Sequence, residues 1–243
     1  MTQRTILALL VVFLLLSLSG CGQTSGPLIE TGPDAEVSHD GLHRVRRSRN
    51  FQRAWVKPDF TLAGYTKILP VDAGIHYKRP PRRSRGEFAL SEQQIERLRA
   101  GLADAVEAEL THDGRWQIVH ESGPDTLVLR GAIIDLVVTV PPDRAGRDRT
   151  YVSSAGEATL VVELFDSESR EILARIADRR AVTRNDSTWW RSDSINNRAA
   201  ARGVFRSWAR RLREALEFAR TLEGSQTMTG DEAGDGTDEA DAP

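Results

Sequence analysis

The stretch between residues 126 and 182 constrains the fold more than any other part of the sequence. Thr126 to Val140 is apolar over most of its length. In the segment from Ala155 to Phe165, every second residue from Leu160 to Leu164 is apolar and falls on one face of a strand. A polar turn at residues 166–170 then leads into Glu171 to Val182. Strands joined by such a hairpin pair antiparallel. The centre of the chain is therefore expected to be a largely antiparallel sheet.

Two further segments have the period of an amphipathic helix. In residues 91–110, Ser91 is followed three residues later by Gln94, which fits a capping box at the start of the helix. Residues 194–222 repeat apolar side chains at helical spacing, with arginines on the opposite face. Short strands are expected at 64–71 and 116–120. The sequence predicts an α+β two-layer sandwich, with a mostly antiparallel sheet of four to five strands and two long amphipathic helices on one face.

The first twenty residues have the features of a secretion signal. Arg4 precedes an unbroken apolar run from Ile6 to Leu16, which is too short to span a bilayer. The following Leu18-Ser19-Gly20-Cys21 resembles the lipobox of bacterial lipoproteins. This resemblance implies cleavage after Gly20 and attachment of diacylglycerol and an acyl group such as palmitate to Cys21. The alternative is an ordinary signal peptide with an incidental cysteine.

Acylation of Cys21 determines where the protein is expected. Three acyl chains hold a protein at a membrane almost permanently, so the membrane is a partner through the lipid anchor. Residue 22 is glycine and not aspartate, which by resemblance to the sorting rule of enteric bacteria favours the outer membrane, on its periplasmic face. The inner membrane is the alternative location.

Composition divides the chain into four parts. We expect a signal peptide at 1–20, a lipidated cysteine with a flexible tether at 21–49, one α+β domain at 50–222 and a disordered acidic tail at 223–243. The single cysteine excludes an internal disulfide. The net charge of −2 argues against a nucleic acid partner.

Four stretches of the predicted domain resemble a known family. They are Tyr65–Val71, Thr126–Asp135, Ala155–Leu160 and Glu163–Ser167. Together they resemble the bacterial domain-of-unknown-function family number 3313, over about residues 50–222. Members of that family are typically predicted lipoproteins, in agreement with the lipobox. The resemblance implies no activity.

The sequence contains no catalytic signature such as Gly-x-Ser-x-Gly, a Walker loop or His-Glu-x-x-His. His39 and His43 have the spacing of two metal ligands on a helix, but they lie in linker-like sequence, so we expect no metal site and no cofactor. Asp135 lies in an apolar strand, where a carboxylate is costly to bury without a partner. It is either an acid or base of raised pKa, or a residue that is salt-bridged or exposed.

Two features suggest contact with a partner. Trp189, Trp190 and Arg191 lie in polar sequence, where an exposed indole beside an arginine suits a partner surface; alternatively, both indoles close the core. Arginines and one lysine also cluster at 44–53 and 78–85. They suit anionic lipid headgroups, lipopolysaccharide phosphates or peptidoglycan carboxylates, or they are simply solvated.

These observations favour a non-enzymatic lipoprotein of the cell envelope that binds an unknown envelope protein or cell-wall partner. No catalytic residue is assigned, and the oligomeric state is left open. One alternative is a hydrolase of envelope polymers that uses Asp135 or a histidine. Another is a carrier of lipid or lipopolysaccharide, which requires an apolar cavity.

Overall fold

The computed structural model describes residues 29–46, 48, 50–140, 151–152, 154–183, 190–191 and 194–231, and it describes only the backbone at 151–152, 190–191, 194–196 and 221–231. The strands are β1 (His43–Arg44), β2 (Arg53–Val56), β3 (Lys67–Tyr77), β4 (Gln117–Ile118), β5 (Thr126–Val138), β6 (Tyr151–Val152), β7 (Gly156–Asp166), β8 (Ile172–Ala181) and β9 (Trp190–Arg191). The helices are α1 (Glu92–Leu110) and α2 (Ser194–Asp231), with a 3-10 turn at Arg83–Arg85.

Seven of these strands form one mixed sheet in the order β1-β2-β8-β7-β5-β3-β4, and β6 pairs separately with β9. The pairs β3–β5 and β3–β4 are parallel, whereas the other neighbours in the large sheet are antiparallel. The predicted four-to-five-stranded, mostly antiparallel sheet is therefore wrong. The general α+β class is confirmed.

The parallel pairs follow from the position of α1 along the chain. This helix lies between β3 and the next two strands of the same sheet, so it acts as a crossover. A chain that leaves a strand and returns through a helix re-enters the sheet from the same end, and the two strands then run parallel. The predicted element order already contained this crossover, but the antiparallel expectation ignored it.

Two extra strands come from the arginine-rich segment on either side of the start of the predicted domain. β1 pairs antiparallel with β2, and β2 pairs with the edge of β8. The sheet thus includes His43 and Arg44, which lie in the segment that the sequence analysis assigned to the tether. At its other end, α2 continues to Asp231, within the segment assigned to the acidic tail.

The hydrophobic core lies between one face of the sheet and both helices. Alternation along β7 places Leu160, Val162 and Leu164 in the core, as predicted, each no more than 6% exposed. Helix α1 begins with the predicted capping box, because the Ser91 hydroxyl accepts from the Gln94 backbone and the Gln94 side chain accepts from the Ser91 backbone. No helix among the described residues is both long and apolar enough to cross a bilayer.

A bulge interrupts the pairing of β5 with β7, and Gly156 lies opposite it. The register shifts between Ile134 and Val137, and Gly156 has a φ of +148°. A Cβ atom at this position would lie 2.1 Å from the carbonyl oxygen of Val137. Glycine is therefore required here by both backbone conformation and space.

Gly156→Ala is expected to lower the free energy of unfolding by at least about 2 kcal/mol, because the added methyl group displaces the backbone of the neighbouring strand. Gly203→Ala is the matched control. Gly203 lies inside α2, nothing lies within 4 Å of the added methyl group, and the variant should gain up to about 1 kcal/mol. Urea denaturation followed by circular dichroism measures both. Equal effects of the two substitutions would contradict the role of Gly156.

Candidate functional site

The residues that the sequence singled out for anchoring and partner contact lie largely outside the described part of the chain. Gly20, Cys21 and Trp189 are not described, and only the backbone of Trp190 and Arg191 is, as strand β9. The predicted roles of these residues therefore stay predictions.

Asp135 lies at the bulge of β5. It has a φ of +52°, in the left-handed region that aspartate adopts more readily than most residues, and its side chain is half-buried. Asp135 lines neither of the two cavities described below. In neither cavity does this carboxylate meet a second acid or base, as the hydrolase hypothesis requires.

The histidines do not come together as metal ligands. His43 lies on β1, where its Nδ1 atom is 2.8 Å from the carbonyl oxygen of Glu30, and His39 is an exposed loop residue. The helical spacing that suggested a shared face is thus absent. Within the described residues, no group of three histidine, cysteine, aspartate or glutamate side chains is placed to hold a metal ion.

An apolar groove of about 410 Å³ lies between the sheet and α2. We call it the α2 groove. Three parts of the chain form its walls: strands β2, β7 and β8, one side of α2, and the segments that flank β2. The residues are Ile29, Val45, Ser48, Asn50, Phe51, Ala54, Val56, Phe60, Val162, Leu164, Ala174, Arg175, Ile176, Leu212, Glu214, Ala215, Leu216, Phe218 and Ala219.

Most of the side chains that line the α2 groove are aliphatic or aromatic. Leu164, Ala174 and Leu216 are buried at its base, whereas Phe218 is 42% exposed and reaches solvent at its edge. A volume of this size lies in the range of sites that bind small ligands. The sequence did not predict the groove, because its walls come from segments more than one hundred residues apart.

A buried carboxylate holds the walls of the α2 groove together. Asp178, on β8, is 1% exposed and accepts a hydrogen bond of 3.0 Å from Nε1 of Trp208 on α2. It also accepts from the backbone N–H of Gln52 at 3.2 Å and from Nε of Arg180 at 2.7 Å. Sheet, helix and preceding segment therefore meet at one residue.

A row of mostly charged residues on the opposite face of the sheet fixes the segment before β2. Arg44, Trp55, Arg175, Glu163 and Arg130 lie directly opposite one another across five strands. Glu163 accepts from Nε of both Arg130 and Arg175, each at 2.8 Å.

Arg175, in the middle of this row, holds a loop of the N-terminal segment. Arg175 donates from Nη1 to Asp40 at 3.2 Å, and its Nη2 also pairs with that carboxylate. Burial alone would raise the pKa of Asp40, but hydrogen bonds from Arg175 and Ser38 and the charge of Arg175 lower it to about 2. Asp40 is therefore ionised at neutral pH and ties the first described segment to the sheet.

The arginine-rich segment 44–53 forms one wall of the α2 groove. Val45, Ser48, Asn50 and Phe51 line the groove and alternate with arginines along the chain. Two of these cations are paired: Arg44 lies 3.7 Å from Glu36, and Arg46 lies 3.6 Å from Glu30. Arg53 is exposed and has no ion pair within the described part of the chain.

The second basic cluster, residues 78–85, wraps around a buried acid. Nη2 of Arg79 and Nη2 of Arg85 each lie 2.7 Å from the carboxylate of Glu87, which is 7% exposed. Hydrogen bonds from Arg85 and Arg79 lower the pKa of Glu87 to about 2. Part of this cluster is thus neutralised inside the protein.

A second, smaller cavity of about 220 Å³ lies between α1, β3 and the sheet. Arg99 at its edge pairs with Asp72, with 3.2 Å between Nε and Oδ2. Core residues such as Trp208 and Leu160 line its base, and its volume is about half that of the α2 groove.

A family model described as "Protein of unknown function (DUF3313)" matches residues 36–212, which is more than half of the chain and confirms the resemblance found in the sequence. Among curated proteins, none matches the chain.

The fold is similar at low identity to several solved structures. The PelC dodecamer from Paraburkholderia phytofirmans is 13% identical, with 61% of this chain and 89% of that chain covered and a TM-score of 0.33. A DUF330 protein from Xanthomonas campestris is 12% identical, with 70% and 93% covered and a TM-score of 0.35. A putative neuraminyllactose-binding hemagglutinin homolog from Helicobacter pylori is 7% identical, with 66% and 92% covered and a TM-score of 0.35. At these TM-scores, we draw no conclusion about function from the similarities.

Asp178→Ala is expected to lower the free energy of unfolding by about 2–4 kcal/mol, because the variant leaves the indole N–H of Trp208 and the N–H of Gln52 without their acceptor. Trp208→Phe should lower the free energy of unfolding by less than Asp178→Ala does. The double variant should lower it by less than the sum of the two single effects. Asp59→Ala, at a side chain that is 74% exposed, is the control and should stay within about 0.5 kcal/mol of the wild type. If chemical denaturation shows that the two losses in free energy of unfolding are additive, the proposed contact between Asp178 and Trp208 is contradicted.

The lowered pKa of Asp40 predicts acid sensitivity. Because the pKa in the folded protein lies below the ordinary value, the ion pair stabilises the fold above about pH 4 and is lost as the pH falls towards 2. Asp40→Asn should therefore melt at a lower temperature than the wild type at pH 7, and the difference should vanish near pH 2. Asp34→Asn, at an exposed loop residue, is the control and should follow the wild type throughout. A pH-independent difference for Asp40→Asn would overturn the assignment.

Proposed function

We propose, from the premise that this chain belongs to the DUF3313 family, that the protein is a lipid-anchored binding module of the bacterial cell envelope. In this proposal it performs no catalysis. Cys21 carries the anchor after cleavage at Gly20, the domain faces the periplasm from the outer membrane, and a partner binds in the α2 groove.

The α2 groove is the observation that carries the proposal. Apolar surface open to water is costly, and the groove of about 410 Å³ has a mostly apolar lining in which the Phe218 side chain is 42% exposed. A ligand or partner segment that covers this surface gains the free energy of burying it. The remaining polar groups at the groove, such as Asn50 and Glu214, are few, as is usual in sites that bind by apolar contact and orient by a small number of polar ones.

The N-terminal sequence supports the anchored location. Arg4, the apolar run Ile6–Leu16 and the Leu18–Cys21 sequence occur in the order of a lipoprotein signal, and Gly22 follows. Buried acyl chains contribute about 0.8 kcal/mol for each methylene group, so a tri-acylated cysteine does not leave a bilayer on the timescale of binding. A module anchored in this way remains next to the membrane.

Substitution of the proposed anchor tests the location. When bacteria are grown with radiolabelled palmitate, the wild-type protein should carry the label and sediment with the outer membrane. Cys21→Ser should lose the label and retain its leader, because neither acylation nor cleavage proceeds without the thiol. Gly22→Asp is the matched variant, and it should keep the label but move to the inner-membrane fraction.

The result that would overturn the proposed anchor is a wild-type protein that lacks palmitate. Mass spectrometry of the N-terminal peptide gives the same answer independently. A bare sulfur at Cys21, or a leader still attached to the purified protein, would remove both the anchor and the location that follows from it.

A further inference from the structure

We infer that the α2 groove binds an acyl chain of an anionic membrane phospholipid, whose phosphate lies against the arginines at the edge of the groove. This inference rests on the proposed function, since it names the ligand class of the same site. Four observations support it: the chemistry of the groove, the charge along one wall, one half-buried arginine, and the distance to the proposed anchor.

The lining of the groove matches a flexible hydrocarbon chain better than a polar ligand. Its base consists of core aliphatic side chains such as Leu164 and Leu216, and aromatic rings lie along its sides at Phe51, Phe60 and Phe218. Such a surface offers an acyl chain continuous apolar contact. A peptide or a sugar would be less well accommodated, because its backbone or hydroxyl groups would lose their hydrogen bonds to water on entry and find few partners in the groove.

The wall formed by residues 44–53 adds positive charge beside this apolar surface. Within the described part of that stretch, Arg46 and Arg53 are exposed, whereas Arg44 lies in the row on the opposite face of the sheet. Arg46 is 59% exposed, so its pairing with Glu30 takes place largely in solvent and is weak. A ligand with an apolar tail and an anionic head fits this combination, whereas a purely apolar or a cationic ligand does not.

Arg211 supplies the most specific contact for a phosphate. It lies on α2 and is not itself a lining residue, but its Nη1 donates at 3.0 Å to the carbonyl oxygen of Asn50, which lines the groove. Its side chain is half-buried, and no carboxylate within the described ranges pairs with it. The guanidinium group is thus held in place by one hydrogen bond while its other N–H groups remain available to a phosphate oxygen.

The position of Ile29 brings the groove close to a bilayer. Ile29 lines the groove and follows Cys21 by only eight residues. Eight residues span about 29 Å at most, even when fully extended. If Cys21 is acylated in the membrane, this end of the groove is held near the headgroups, where phospholipids are the most concentrated amphiphiles. A membrane phospholipid is therefore the occupant that we propose.

Photocrosslinking from a defined bilayer tests this inference. The full chain, purified from membranes in its acylated form, is reconstituted into phosphatidylcholine vesicles that contain phosphatidylglycerol with a photoactivatable diazirine on its acyl chain. After irradiation, peptide mass spectrometry should find the crosslinks on peptides that line the groove, around Phe51 and around Ala215 to Ala219.

Variants that fill or charge the groove should lose these crosslinks. Ala215→Trp places an indole in the groove and should reduce crosslinking about tenfold or more. Phe218→Glu alters a partly exposed side chain, so it preserves the fold and provides a second test. Ala199→Trp, at an exposed position on the same helix, is the matched control and should crosslink like the wild type. Equal crosslinking in all three variants would overturn the inference.

The headgroup is tested separately. Arg211→Gln should reduce crosslinking to phosphatidylglycerol about tenfold and leave crosslinking to diazirine-labelled phosphatidylcholine unchanged. If the wild-type protein crosslinks equally to both lipids, the requirement for an anionic headgroup is refuted.

Comparison with Cys21→Ser identifies the source of the acyl chain. If phospholipid crosslinks appear only when Cys21 is replaced, the protein's own anchor occupies the groove and our inference is wrong. If no lipid crosslinks in any form, a polypeptide partner is the better occupant and the inference is again refuted. Palmitate labelling of the same samples shows whether the anchor itself is present, so failure of the proposed function and failure of the ligand assignment give different results.

Discussion

The hydrogen bonds to the Asp178 carboxylate hold together the parts of the fold on which every functional proposal depends. A buried carboxylate is stable only when donors replace its hydration, and here Trp208, Gln52 and Arg180 do so from α2, the segment before β2 and β8 itself. These donors come from segments that are distant along the chain. Formation of this contact therefore requires the helix and the N-terminal segment to be in place, and the same arrangement leaves the α2 groove between them.

The opposite face of the sheet stabilises the same N-terminal segment by different means. Arg130, Glu163 and Arg175 alternate in charge across neighbouring strands, and Asp40 extends the row from outside the sheet. Cross-strand pairs of opposite charge stabilise a sheet modestly, but this connected row is stronger than isolated pairs because Glu163 and Arg175 are each held by two partners. The segment that carries Ile29 and Val45 is thus fixed on both faces, and it becomes a wall of the groove.

The sequence predicts those parts of the fold in which local pattern and burial agree. The alternation of Leu160, Val162 and Leu164 and the Ser91–Gln94 capping box correctly indicate β7 and the start of α1. The sequence did not predict β2, because Arg53 belongs to an arginine cluster typical of solvated loops, and pairing with β8 makes residues 53–56 a strand. The sequence also does not predict the burial of Asp178, because its neighbours Arg179 and Arg180 suggest an exposed face. The groove was beyond prediction because its walls meet only in three dimensions.

The central claim is that a membrane lipid occupies the α2 groove of an anchored protein. Native mass spectrometry of the chain purified gently from its own membranes, without added lipid, tests this claim most directly. The account predicts a population of the acylated protein whose mass is increased by one anionic phospholipid, and this population should be absent when Ala215 is replaced by tryptophan. The acylated protein alone, or a complex with a polypeptide at the groove in place of lipid, would contradict the account.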